Sequence, residues 1–158
     1  MPQPKLATFP AIRGALRFYQ IASVVTGVML LSLCAEMIIK YGLGYELFFG
    51  GTGGFLHFAP VVETATGHES TGDGVNLSLG ILIAHGWFYV VYLFACFRVW
   101  SLMRWGFLRF IMLALGGIVP LLSFFMEARV AREVKAYLAE REASEASVPP
   151  LPATEGTR

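Results

Sequence analysis

Three uncharged, strongly apolar stretches constrain this chain more than any other feature. Between Arg17 and Lys40 the only charged residue is Glu36, and the intervals from Asp73 to Arg98 and from Arg109 to Glu127 contain none. A bilayer core of about 30 Å takes about 20 helical residues, somewhat fewer where flanking side chains snorkel. Apolar runs of this length in lipid must be helical, because no water is present to satisfy the backbone. The expected fold is therefore all-α: a three-helix transmembrane bundle with helices at about 16–40, 77–98 and 107–127.

The rest of the chain is divided around those helices. Of 158 residues, 56% are hydrophobic and 15% charged, too oily a balance for a soluble domain of this size. Residues 1–14, with Pro2, Pro4 and Pro10, read as a mobile basic lead, and 15–128 as the transmembrane domain. Phe18, Tyr19, Tyr41 and Tyr45 flank the first helix as an aromatic belt would. A long Gly-rich loop at 42–76 joins the first two helices, and a tight basic turn at 99–108 joins the second and third. Residues 129–144 read as a helical extension, because Val130, Val134, Tyr137 and Leu138 recur at helical spacing among charges. That apolar face needs a cover: the membrane interface, the long loop or a partner. Residues 145–158, with Pro149, Pro150 and Pro152, have the composition of a disordered tail.

Lys5, Arg13 and Arg17 ahead of an apolar run imitate a signal peptide, but no small-x-small site closes the run before Glu36, so the first helix is expected to be retained. Lysine and arginine counts orient the bundle. Lys5, Arg13 and Arg17 precede the first helix and Arg98, Arg104 and Arg109 surround the short turn, whereas the long loop has only Lys40 at its edge. The N-terminus and the turn are thus expected in the cytoplasm and the long loop outside. Three crossings send the C-terminus outside, where Arg129, Arg132 and Lys135 strain the rule.

The segments Thr26-Gly27-Val28-Met29-Leu30-Leu31, Glu36-Met37-Ile38-Ile39-Lys40-Tyr41, His85-Gly86-Trp87-Phe88-Tyr89-Val90-Val91-Tyr92-Leu93, Pro120-Leu121-Leu122-Ser123-Phe124 and Glu127-Ala128-Arg129-Val130 are individually short and mostly apolar. Together, over about residues 14–133, they resemble a three-helix actinobacterial membrane family, domain of unknown function 3817. The resemblance implies a plasma-membrane helix bundle and no settled activity. The 44–76 loop is longer than the family's usual one, and the tail is additional.

Glu36 and His85 are the ionisable residues inside the expected spans, where burial costs several kcal/mol. Pro120 removes a backbone donor and frees the carbonyl of Gly116. Counted along their helices, Glu36, His85, Gly116 and Pro120 are expected at one level, as a cluster that fixes helix register or, alternatively, relays a proton or cation. No cofactor is expected. Haem at His85 lacks a second histidine in a span, and Met29, Met37 and Met112 have the spacing of core residues. His57, Glu63, His68, Glu69 and Asp73 in the long loop match no metal-ligand spacing. The Gly-rich segment lacks the lysine and strand of a phosphate-binding loop, and its phenylalanines suit a membrane surface or a partner. Cys34 and Cys96, near opposite membrane faces, are expected as packing thiols rather than a disulfide.

No serine, cysteine or threonine stands beside a histidine base, so the chain is not expected to be an enzyme. With a net charge of +1 and no basic tract it is not expected to bind nucleic acid. Gly27, Gly86, Gly116 and Gly117 allow close helix approach, so the expected partners are the lipid bilayer, other membrane protein subunits or a second copy. The expected role is a non-enzymatic accessory or scaffold subunit of a membrane complex; the alternative is a small transporter or channel oligomer using Glu36 and His85.

Overall fold

The computed structural model describes residues 6–147. A short turn at Leu6–Thr8 leads into α1, Phe9–Ile38, which continues as a π-helical turn over Ile39–Leu43. Pro10 stands in the first turn of α1, where its missing N–H costs nothing and its fixed φ suits a helix. The stretch Phe9–Gly14, expected as mobile lead, is therefore helical. Helix α2 spans Leu77–Met103, opened by the Asn76 side chain accepting the Leu79 N–H. It closes at Arg104, in the left-handed region, whose N–H returns to the carbonyls of Trp100 and Ser101.

Residues expected as an irregular loop instead form a small antiparallel sheet. Its strands are β1 Tyr45–Phe49, β2 Leu56–Thr64, β3 Gly67–Ser70 and β4 Val75–Asn76, in the order β3-β2-β1-β4. The glycines read as loop composition make the β1–β2 turn, where Gly50, Gly51 and Gly54 all have positive φ. Strand alternation is present in the sequence beneath the aromatic run: Glu46 and Phe48 face inward, whereas Tyr45 and Phe49 face outward. Phe48 pairs with His57 across the strands and stacks on its ring, and a Cβ on Gly72 would strike Phe48 and Ala59.

The expected third spanning helix is broken in two. Helix α3 covers only Phe107–Leu115, and α4 runs Leu122–Ala146. The segment between them reverses the chain. Arg109 at the start of α3 pairs with Glu133, while Gly116 lies 3.5 Å, measured from its would-be Cβ, from Ser123 Cα. Pro120 and the preceding glycines disfavour a continuous helix, and Leu121 takes a left-handed conformation (φ 67°) that sets the reversal. The nine residues of α3 rise only about 14 Å, against about 40 Å for the 27 of α2. The hairpin tip accordingly meets the middle of the other helices, at Tyr89 of α2 and Gly27 of α1.

Helix α4 then returns beside α1. Ser23 contacts Ser123, Gln20 bonds Glu127, Phe9 packs on Tyr137 and Arg13 pairs with Glu142. Its far end lies at the end of the molecule where α1 begins and α2 finishes, here the basal end; the sheet caps the other. The apolar face of the helical extension already has its cover. Val130, Val134 and Leu138 are buried in one core with Phe9, Ile12 and Leu16. Burying each such side chain contributes about 1.5–3 kcal/mol where the alternative is water. Most of the expected disordered tail lies outside the described residues.

Candidate functional site

Two polar constellations occupy the interior, one at the hairpin tip and one beneath the sheet. At the tip α3 ends in tightened turns, with the Gly116 N–H donating to the Leu113 carbonyl and the Gly117 N–H to that of Ala114. Two tyrosines three residues apart on α2 add a second hydrogen bond to each of these carbonyls. Tyr92 Oη donates to the Leu113 carbonyl at 2.6 Å and Tyr89 Oη to that of Ala114 at 3.3 Å. From α1, Ser23 Oγ donates to the Ser123 carbonyl at 3.0 Å and Thr26 Oγ1 to the Phe88 carbonyl at 3.1 Å. Glycines let the elements close up. A Cβ on Gly27 would lie 2.4 Å from Ser123 Oγ, and one on Gly116 would lie 2.6 Å from Tyr92 Oη. The polar groups of this half of the molecule were missed in the sequence, where hydroxyl residues scattered through apolar stretches pass for helix surface.

The second constellation lines a cleft of about 820 Å³ between the sheet and the adjoining ends of α1 and α2. Glu36, 8% exposed, accepts a hydrogen bond from Ser78 Oγ at 2.5 Å. One turn further along, Lys40 Nζ pairs with the buried carboxylate of Glu46 at 2.8 Å. The rim carries His68, Glu69 and Ser70 of β3, and Leu33, Met37, Leu79 and Leu82 make the apolar side. Tyr41 meets the His68 ring edge-on.

The four residues expected as one cluster are not brought together. Ser78, the partner of Glu36, lies two helical turns or about 10 Å along α2 from His85. His85 stacks on Tyr89, and its Nδ1 is buried without a hydrogen-bond partner among the described residues. Gly116 and Pro120 belong to the hairpin tip, level with Gly27 and therefore about 13 Å from Glu36 by helix rise. Gly116 and Pro120 are displaced because the third helix does not run straight, and Glu36 and His85 are apart because Glu36 meets the first turn of α2.

The acidic and histidine residues of the sheet are likewise spread. Asp73 holds the turn by accepting the Thr52 N–H and hydroxyl, each at 3.0 Å, and these bonds, the N–H first, lower its carboxyl pKa. His68 sits 3.4 Å from Glu63, and His57 is stacked on Phe48. No group of three or more such residues among the described residues could hold a metal ion. Cys34 and Cys96 are both free thiols, Cys96 fully buried.

These features define a class: a small, mainly helical protein with two long apolar helices, a half-length helical hairpin against one end and an antiparallel sheet over the other. The chain belongs to the family described as domain of unknown function 3817, whose pattern matches residues 16–132, as the sequence resemblance implied. An uncharacterised protein of Mycobacterium leprae (strain TN) is 25% identical over 134 residues, covering 85% of this chain and 87% of that one. Uncharacterised proteins of Mycobacterium bovis and Mycobacterium tuberculosis are each 26% identical over 125 residues, covering 79% of this chain and 80% of theirs. No solved structure matches. The segments that carry the resemblance supply Thr26, Gly27, Tyr89, Tyr92, Ser123 and Glu127, all at the seam where the hairpin docks.

Proposed function

We propose that this is a multi-pass membrane protein, with α1 and α2 crossing the bilayer and α3–α4 entering and leaving on one side, that serves as a non-enzymatic accessory or scaffold subunit of a membrane complex. Membrane placement is supported by the large apolar side chains exposed along both long helices, among them Ile21, Val28, Leu31, Leu82, Ile83, Val90 and Phe94. Those side chains would be buried if the helices formed the core of a soluble protein. Irregular backbone at the hairpin tip is compatible with this, because its turns bond within themselves and Ser23 of α1 and Tyr89 and Tyr92 of α2 add hydrogen bonds at its edges.

Charge supports one orientation. Among the described residues, Arg13, Arg17, Arg98, Arg104, Arg109, Arg129, Arg132, Lys135 and Arg141 all belong to the basal end, and Lys40 alone to the sheet end. The basal end is therefore assigned to the cytoplasm. Two crossings put the start of α1 and the end of α4 there, and the basic residues of α4 no longer oppose the rule.

The observation that carries the accessory role is the uncovered half of α2. The hairpin stops at mid-depth, so toward the sheet α2 has α1 as its only helical neighbour among the described residues. A Cβ at Gly80 or Gly86 would meet nothing within 4 Å. Open glycines on a lipid-facing helix allow a second backbone to approach closely, the geometry that drives helix association where lipid offers no hydrophobic gain. Affinity purification of the tagged full chain in mild detergent, with mass spectrometry of co-purifying proteins, tests the role. A stoichiometric membrane partner that is lost in Gly80→Leu/Gly86→Leu supports it; recovery of the chain alone, as a monomer, rules it out.

The transport alternative draws some support from the polar groups at the seam, which extend from Gln20–Glu127 through Ser23 to Thr26. A path to Glu36 must then cross about 15 Å of α1, where Leu30 and Leu33 are apolar and Ser32 spends its hydroxyl on the Val28 carbonyl. That gap favours the accessory reading.

A further inference from the structure

We propose that the seam between α1 and α4 at the basal end binds an anionic phospholipid, its phosphate between Arg17 and Lys135 and an acyl chain along Ile21, Val24 and Val25. Two adjoining concavities share Arg17 and Gln20. The first, about 330 Å³, has Arg13, Arg17, Lys135 and Glu142 around a floor that includes Leu16 and Leu138. Arg13 is committed to Glu142 at 2.5 Å. Arg17 and Lys135 have no acidic partner among the described residues. The concavity thus keeps two uncompensated cations on facing helices. A guanidinium can fork two phosphate oxygens while an ammonium supplies a point charge beside it.

The second concavity, about 500 Å³, continues down α1 past Ile21, Val24 and Val25. Its acid, Glu127, is already tied to the Gln20 amide at 2.5 Å. From Arg17 to Val25 the helix descends about 12 Å toward mid-bundle. Cations at the rim and an apolar trough below them reproduce the order of a phospholipid in the leaflet at the basal end, head group outward and chain inward. The cleft beneath the sheet lacks this match, because its lysine, Lys40, is neutralised by Glu46.

The inference rests on the membrane placement proposed above, so that placement is read first: the chain must stay in the membrane pellet after alkaline carbonate extraction. Release by carbonate would remove both readings, whereas retention leaves the lipid site to be judged alone. Native mass spectrometry then counts phosphatidylglycerol and phosphatidylcholine retained by the purified full chain from mixed micelles. The wild type is expected to retain phosphatidylglycerol several-fold over phosphatidylcholine. Arg17→Gln/Lys135→Gln should abolish the preference, and Val24→Trp, which fills the trough and leaves the cations, should weaken it. Arg129→Gln/Arg132→Gln, with the same charge change elsewhere on α4, should leave it intact. Equal loss in both arginine-containing double variants would reduce the effect to diffuse surface charge and overturn the site. So would displacement of the lipid by millimolar inorganic phosphate, which would show a site for the free ion.

Discussion

The hydroxyl of Tyr92 closes on the carbonyl of Leu113 at 2.6 Å, so a side chain in the middle of one long helix fastens the end of a neighbouring helix halfway along the molecule. Tyr89 bonds the Ala114 carbonyl in the same way and Ser23 the Ser123 carbonyl at the start of α4, in addition to the backbone bonds that Leu113 and Ala114 accept from Gly116 and Gly117. Tyr92→Phe should lower stability in detergent by about 0.5–1.5 kcal/mol, the net worth of one buried hydrogen bond, because the Leu113 carbonyl keeps the Gly116 N–H. Tyr89→Phe, which loses a longer bond, should cost less. Thermal unfolding of the two variants measures the ordering, and equal melting points for Tyr92→Phe and wild type would mean that the tip does not depend on this cap.

The half-length hairpin makes a topological prediction. In a chain with Cys34 and Cys96 replaced by alanine, cysteine introduced at Ser70 should react with a membrane-impermeant thiol reagent in intact cells. Cysteines at Ser101 and at Ser144 should both stay unlabelled until the cells are opened. Labelling at Ser144 together with Ser70 would restore a third full crossing.

Beneath the sheet, coupling should follow the observed bond rather than sequence depth. Glu36→Gln and Ser78→Ala should be non-additive, with an interaction term of about 0.6–2 kcal/mol in a double-mutant cycle. Glu36→Gln and His85→Gln, about two turns apart, should add within error. A coupling between Glu36 and His85 as large as that between Glu36 and Ser78 would contradict the geometry.

Truncation separates the parts of α4. Removing everything after Ser144 should leave the melting temperature unchanged. Ending the chain at Arg129 deletes Val130, Val134 and Leu138 from the core and should prevent stable folding, not merely weaken a docking surface. Leu138→Ala alone should cost about 2–5 kcal/mol. Normal expression and melting after truncation at Arg129 would show the α1–α4 core to be dispensable.

The small sheet was obscured by its own turn chemistry. The positive-φ glycines and the Asp73–Thr52 clasp dominate the composition of residues 50–73, while Glu46, Phe48, His57 and Ala59 alternate too briefly to stand out from aromatic neighbours. A short strand at the mouth of an apolar helix is recognised by its partner across the sheet, and a linear reading does not see that partner.

What the sequence determines by itself is the set of long apolar segments, the positions where α2 and α3 begin, and the family. Each of these follows from local composition: uncharged length, the tight basic turn at 99–108 and short motifs. Whether the stretch from Arg109 to Glu127 crosses the molecule or turns back is a tertiary decision. One straight helix and two antiparallel half-helices contain the same apolar residues, and hydropathy counts them identically. The balance is tipped by Gly116, Gly117 and Pro120, which weaken a continuous helix, and by Tyr89, Tyr92 and Ser23, which fasten the end of α3 and the start of α4 from elements more than 20 residues away in sequence. One trace of that decision was already present in the sequence: Arg129, Arg132 and Lys135 sit uncomfortably on the far side of a third crossing and naturally at the basal end of a hairpin, because the chain that carries them has come back.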